Sequence, residues 1–230
     1  GEGTFEVVAR ADDYAPRLVD WVTLGTNEYR ALNTVLLPEV AMEGTVEDAD
    51  GRPVGGVTVR ARNAVGPDGS GYRCSGVEEV ISDNDGRFRI EHLPACAIQI
   101  WAWKEGYHQV WHPRDQIRLD DPKLGNPAQV TVKMVSTGSL TVRVAKATPG
   151  ATAKSESSSD SVHIQETAKS GVGSWGGSSQ LAPDGTATFK NVPPGKYYVS
   201  LTPIHDGKVP AEAAIVEVVA EKTAELNLSR

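Results

Sequence analysis

The segment Ser82-Asp83-Asn84-Asp85-Gly86 sets oxygen donors close together, as the start of a calcium loop does. Such a loop also needs a bidentate Glu at its twelfth position. Counting from Asp83, no Glu stands there, and an alternating pattern starts at Arg87, so the segment reads as a hairpin turn. His108 and His112 are four apart, a spacing that serves a metal only on a helix, and Pro113 argues against one. Their acidic neighbours Asp115, Asp120 and Asp121 are generic. Cys74 and Cys96 lack the CxxC partner of a zinc site, which leaves one disulfide or two buried thiols as open alternatives. No Gly-x-Ser-x-Gly elbow accompanies the plentiful serines and histidines. No catalytic residue, metal ligand or cofactor site is assigned.

The densest chemical signal is aromatic. Trp101, Trp103, Tyr107, His108, Trp111 and His112 crowd one stretch, with three of the chain's five Trp inside it. On a strand, Trp101 and Trp103 share one face while Ile98 and Ile100 share the other. If the isoleucines enter a core, both indoles face outward. Trp101, Trp103, Tyr107 and Trp111 are therefore the candidate ligand-binding residues, for a sugar ring or a partner domain. Packing against another part of the chain is the alternative use of the same rings.

The elements that position these residues are strands. Period-two alternation runs through Thr4–Ala11, Val54–Ala61, Arg87–Glu91, Ala97–Trp103, Val130–Val135, Ser139–Val144, Tyr197–Leu201 and Ala214–Val219. Breakers rich in Gly, Pro, Asp and Asn separate them. Asp50-Gly51 and Asp85-Gly86 supply the positive φ of tight turns. Helical signal is poor: Leu18–Leu32 and Arg114–Ile117 offer one turn each at most. The expected fold class is all-β, built of tandem Greek-key sandwiches. Thr148–Ser179, rich in Ser, Gly, Ala and Thr, is expected to be a mobile loop with one strand at Ser161–Glu166.

Composition bounds the partners. The 230 residues are 39% apolar and carry a net charge of −7, with no basic cluster of the kind nucleic-acid binding needs. No apolar stretch is long enough for a spanning helix, and no signal-peptide pattern opens the chain. Membrane insertion and nucleic acid are not expected.

Internal similarity divides the chain. Gly86–Ile90 and Gly185–Phe189 each precede a proline-containing turn and a further strand. Val7–Ala11 with Tyr14 parallels Ile98–Ala102 with Tyr107, and Trp21 and Leu24 fall near where Trp111 and Leu119 fall. Closing strands are expected at Asn33–Leu37, Val130–Val135 and Thr223–Leu228. Residues 1–37 then read as the C-terminal half of a preceding module, 38–136 as one module and 137–230 as a second, divergent one.

The central stretch contains Gly44-Thr45-Val46, Asp50-Gly51-Arg52-Pro53-Val54 and Gly56-Val57-Thr58-Val59. Asp83-Asn84-Asp85-Gly86-Arg87-Phe88, Leu93-Pro94 and Gly106-Tyr107 follow. In this set it resembles the carboxypeptidase regulatory-like domain family, with its prealbumin-like (transthyretin-like) β-sandwich. Ala95-Cys96 departs from the Gly often found after Leu-Pro, and 137–230 lacks the early Pro-containing turn. The resemblance implies a tandem all-β array without catalysis or cofactor, a spacer or docking surface in a larger secreted, periplasmic or cell-surface protein. Its partners would be other domains of the parent protein or surface proteins. A carbohydrate-binding module using Trp101 and Trp103 is the alternative. Tyr72-Arg73-Cys74-Ser75 resembles a short motif of transthyretin-like hydroxyisourate hydrolases, but that family's final tetrapeptide is missing. The facing Lys, Asn or Asp and buried Glu of isopeptide-forming surface domains are not evident either.

Overall fold

Alternating side chains and Gly-centred turns make strands almost everywhere in the computed structural model. It describes residues 2–66, 69, 71–74, 79–110, 116–145, 161–167, 175–204 and 208–229. In chain order the first strands are β1 (Gly3–Ala11), β2 (Tyr14–Leu24), β3 (Glu39–Glu47), β4 (Thr58–Val65), β5 (Gly71–Tyr72) and β6 (Val80–Ile81). Next come β7 (Arg87–Pro94), β8 (Ala97–Trp103), β9 (Tyr107–Gln109), β10 (Ile117–Arg118), β11 (Ala128–Ser136) and β12 (Gly138–Ala145). The last are β13 (Ser161–Glu166), β14 (Gly176–Gln180), β15 (Thr186–Val192), β16 (Gly195–Ser200), β17 (Ala214–Val218) and β18 (Thr223–Ser229). The only helix among the described residues is a single 3-10 turn at Pro122–Leu124, so none is long and apolar enough to cross a membrane.

The chain divides into two compact units. The first comprises Gly1–Lys104 and Arg114–Lys133, the second Glu105–Pro113 and Met134–Arg230. In the first, β7-β3-β11 form one sheet and β10-β8-β4-β5 the other, with β6 also on β4. β3 runs antiparallel to β7 and parallel to β11. Met42, Val46, Phe88, Ile90 and Val132 point inward from one sheet; Val59, Ala61, Ile98 and Ile100 point inward from the other. Leu93 is fully buried. Burying a side chain of this size contributes about 1.5–3 kcal/mol.

The second unit uses the same order. β15-β12-β18 form one sheet, with β12 antiparallel to β15 and parallel to β18, and β17-β16-β13-β14 form the other. Its core holds Leu140, Val142, Val162, Ile164, Phe189, Tyr197 and Val199. The Tyr197 hydroxyl donates to the Pro193 carbonyl at 2.8 Å, which satisfies the one polar group on that buried ring. β9 pairs with Met134–Ser136, also in this unit. His92 and Asn191, each two residues before a proline, both take left-handed backbone at φ 59° and 53°.

The turn chemistry agrees with the sequence. Asp83 Oδ1 accepts from the Asp85 and Arg87 amides at 3.0 and 2.7 Å, and Gly86 sits at φ 73°. Asp48 makes a matching turn through Gly51, its Oδ1 accepting from the Asp50 and Arg52 amides, while Asp184 Oδ1 accepts from the Thr186 amide across Gly185. Ser82–Gly86 is thus a tight turn, but it leads from β6 on β4 to β7 on β3 and so joins the two sheets, where the sequence suggested a hairpin. Among the described residues no three His, Cys, Asp or Glu side chains gather to hold a metal ion.

Four segments differ from expectation. Leu18–Leu24, the first part of the Leu18–Leu32 segment read as poor helix, belongs to the long strand β2, antiparallel to β1. Its register shifts at two bulges, which blurs the alternation. In Val54–Ala61 the strand begins only at Thr58, because Val54–Val57 is tied into a turn by the buried Ser82 hydroxyl, which accepts from Val57 N and donates to Val54 O. Gly176–Gln180, expected in a mobile loop, is strand β14 on β13; most of the rest of that loop lies outside the described residues. Asn33–Leu37 forms no strand. Its backbone instead meets β2, through Ala15 N to Leu37 O at 2.9 Å and Arg17 Nη1 to Val35 O at 2.9 Å. The Tyr72 hydroxyl adds a bond to Ala15 O at 2.7 Å.

Candidate functional site

Strand β8 settles the parity of the aromatic cluster. Ile98 and Ile100 are 0% and 5% exposed, so Trp101 and Trp103 project from the opposite face at 46% and 67% exposure. The neighbouring strands complete that face. β4 sets Thr58 opposite Trp103, Arg60 opposite Trp101 and Arg62 opposite Gln99. β6 sets Ile81 opposite Thr58, and Ile81 is 70% exposed. The outward surface therefore has an apolar row (Ile81, Thr58, Trp103) beside a charged row (Glu79, Arg60, Trp101).

Its electrostatics are uneven. Arg60 is paired with Glu79 at 3.1 Å. Arg62 lies over the Trp101 ring, its guanidinium carbon 5.0 Å from the centroid, and makes no ion pair among the described residues. A cation held on an indole face gains about 0.5–1 kcal/mol at an exposed site. Stacking also limits where the guanidinium can go. Lys104, just after β8, donates to the Gly55 carbonyl at 2.6 Å.

The other candidate residues lie elsewhere. Tyr107 is half-buried on β9 in the second unit, opposite Ser136. Trp111, His112 and Asp115 lie outside the described residues. Of the four proposed ligand-binding residues, the structure brings Trp101 and Trp103 onto one face. Sequence reasoning missed Arg60, Arg62 and Ile81. The alternation through Thr58 and Arg60 carried part of the signal, but only the pairing with β8 brings these side chains beside the indoles.

Of the two states open to Cys74 and Cys96, the structure carries the thiols, and no disulfide joins them. Burial pushes the Cys74 thiol up to about 12, with Cys96 adding to the effect, and burial pushes Cys96 up to about 11. Both are inert as nucleophiles at neutral pH.

The outer face of β7-β3-β11 bears a groove of about 760 Å³ lined by Glu43, Thr45, Arg87, Arg89 and Gln129. Its charges are already matched. Arg89 bonds Glu43 and Glu91, Gln129 reaches Glu43 at 3.2 Å, and Arg87 faces Asp85 at 3.7 Å. Gln129 and then Arg89 hold the Glu43 carboxyl below its usual range. Such a surface offers little unspent charge to a ligand.

Residues 41–144 match the family model of the carboxypeptidase regulatory-like domain, so the motifs from Gly44 to Tyr107 fall inside the matched segment. No curated protein matches the chain. Solved structures similar to it include a streptococcal ancillary pilin, at 12% identity over 100% of this chain and 76% of that one, with a TM-score of 0.41. GBS52, the minor pilin of Streptococcus agalactiae, aligns at 12% identity over 82% of this chain and 94% of its own, with a TM-score of 0.37. BcpA, the major pilin subunit of Bacillus cereus, aligns at 9% identity over 83% and 99%, with a TM-score of 0.29.

Proposed function

We propose that this chain is a non-catalytic array of β-sandwich modules, a spacer and docking surface within a larger secreted or cell-surface protein. Residues 38–136 are one module, 137–230 a second, and 1–37 the C-terminal half of a preceding one. The observation that carries the reading is the shared architecture of the two units: one sheet whose opening strand is parallel to its closing strand, and a second sheet of matching order. The N-terminal hairpin fits a half module. Phe5 and Trp21 stay 45% and 55% exposed on it, and Asn33–Leu37 forms no strand. Partners would be other domains of the parent protein or other surface proteins.

Stretching the full chain in an optical trap tests the array. Two major unfolding events are expected, each releasing about 30 nm, the contour of roughly 95 residues. One event spanning the whole chain would refute independent modules.

A second reading, carbohydrate binding, is favoured by one observation. Trp101 and Trp103 are exposed together on a sheet face, and indole faces suit stacking on the apolar C–H face of a sugar. Binding of any soluble polysaccharide that is lost in Trp103→Ala would support it.

A further inference from the structure

We propose that the Trp101–Trp103 face takes an acidic glycan, with Arg62 as the contact for a sugar carboxylate. The proposal rests on the carbohydrate reading above and names the class of sugar. Its basis is the setting of Arg62 beside the two indoles. On that face Arg60 is matched to Glu79, whereas Arg62 makes no ion pair among the described residues. Arg62 is held by an indole instead, at 5.0 Å.

That arrangement suits a carboxylate that arrives with a sugar. An arginine that stacks on an aromatic ring still carries donors in its guanidinium plane, and they match a carboxylate in bidentate geometry. The neighbouring acid, Glu79, is engaged by Arg60 at 3.1 Å, so its charge is already offset beside the site. Trp103 carries no cation among the described residues and is more exposed than Trp101. Residues two apart on a strand are separated by about 7 Å. A pyranose stacked on Trp103 therefore leaves the next sugar of its chain within reach of Arg62. The exposed ring supplies affinity, and the Arg62 guanidinium selects a uronate over a neutral sugar. A protein partner would have to supply the same carboxylate beside a flat apolar group.

Affinity electrophoresis of the full chain tests this, at pH 7 and about 0.15 M salt without divalent cations. The gels would contain sodium polygalacturonate or its fully methyl-esterified form, which differ only in the free carboxylate. Wild type should be retarded by polygalacturonate at least tenfold more strongly than by the ester. Arg62→Gln should lower the first affinity to that of the ester, and Trp103→Ala should abolish both. Both side chains are exposed, and matching thermal melts would confirm that the variants are folded. Equal retardation by the two polymers, or an unchanged Arg62→Gln, would overturn the role of Arg62 and leave the carbohydrate reading standing. Retardation by neither polymer, nor by neutral glucans and xylans run alongside, would overturn both.

Discussion

Gly44→Ala is the sharpest test of how the first unit is packed. Gly44 points inward from β3 between Met42 and Val46, opposite Phe88 of β7 and Val130 of β11. An added Cβ would stand 2.5 Å from the Val130 carbonyl oxygen, 2.6 Å from Phe88 Cζ and 2.7 Å from Val130 Cγ2. The carbonyl belongs to a backbone held in a parallel ladder and cannot swing away. Phe88 is 6% exposed. Relief requires opening β3 from β11 or expelling the ring, so the cost should lie at the upper end of overpacking, about 3 kcal/mol. Gly51→Ala is the control. It has the left-handed φ of 79° but nothing within 4 Å of the added carbon, so only backbone strain of about 1 kcal/mol applies. Urea unfolding followed by hydrogen exchange of the peptides covering β3 and β12 would separate the units. The β3 midpoint should fall by about 1–2 M in Gly44→Ala, with β12 unchanged. The reasoning fails if Gly44→Ala costs no more than Gly51→Ala.

Further predictions concern the two faces of β8, the second core and the buried acids. Ile98→Ala should cost about 2–5 kcal/mol while Trp103→Ala stays within about 0.5 kcal/mol in urea unfolding; equal costs would mean the indole is not on a free surface. Tyr197→Phe leaves the Pro193 carbonyl without its donor and should destabilise the second unit by about 1–3 kcal/mol, with an unchanged melting point as the contrary result. The Cys74 and Cys96 thiols, raised to about 12 and about 11, bind their protons more tightly folded than unfolded. Their contribution is complete below the unfolded pKa of about 8.5 and is lost as pH rises toward the folded values, at about 1.4 kcal/mol per pH unit for each thiol. Stability measured at pH 8 and pH 10.5 should therefore drop. Iodoacetamide at pH 8 should label Cys74 far more slowly in the folded chain than in the unfolded one, and equal labelling rates would contradict the burial argument.

Much of this protein follows from patterns within short segments. Ala97–Trp103 alternates so strongly that its strand, its core isoleucines and its outward indoles follow from parity alone, because side chains on a strand switch faces at every residue. Asp85-Gly86 and Asp50-Gly51 declare their turns, since a tight reversal needs backbone that glycine adopts without strain. Ser161–Glu166 and Thr223–Leu228 likewise announce strands by local alternation. Other features needed the folded chain. The bulges of β2 hide its alternation until β1 is laid beside it. Gly176–Gln180 has almost no apolar content, and β13 makes it a strand by supplying hydrogen-bond partners. Asn33–Leu37 has the composition of a strand, yet its backbone meets β2 through isolated bonds and forms no ladder. Arg62 reaches Trp101 only because β4 and β8, some forty residues apart in sequence, pair in one particular register. Periodicity tells which face of a strand a residue occupies, and that belongs to the sequence. Which other strand lies alongside, and in what register, depends on how two distant segments bury their apolar faces together, and the tertiary structure alone decided that.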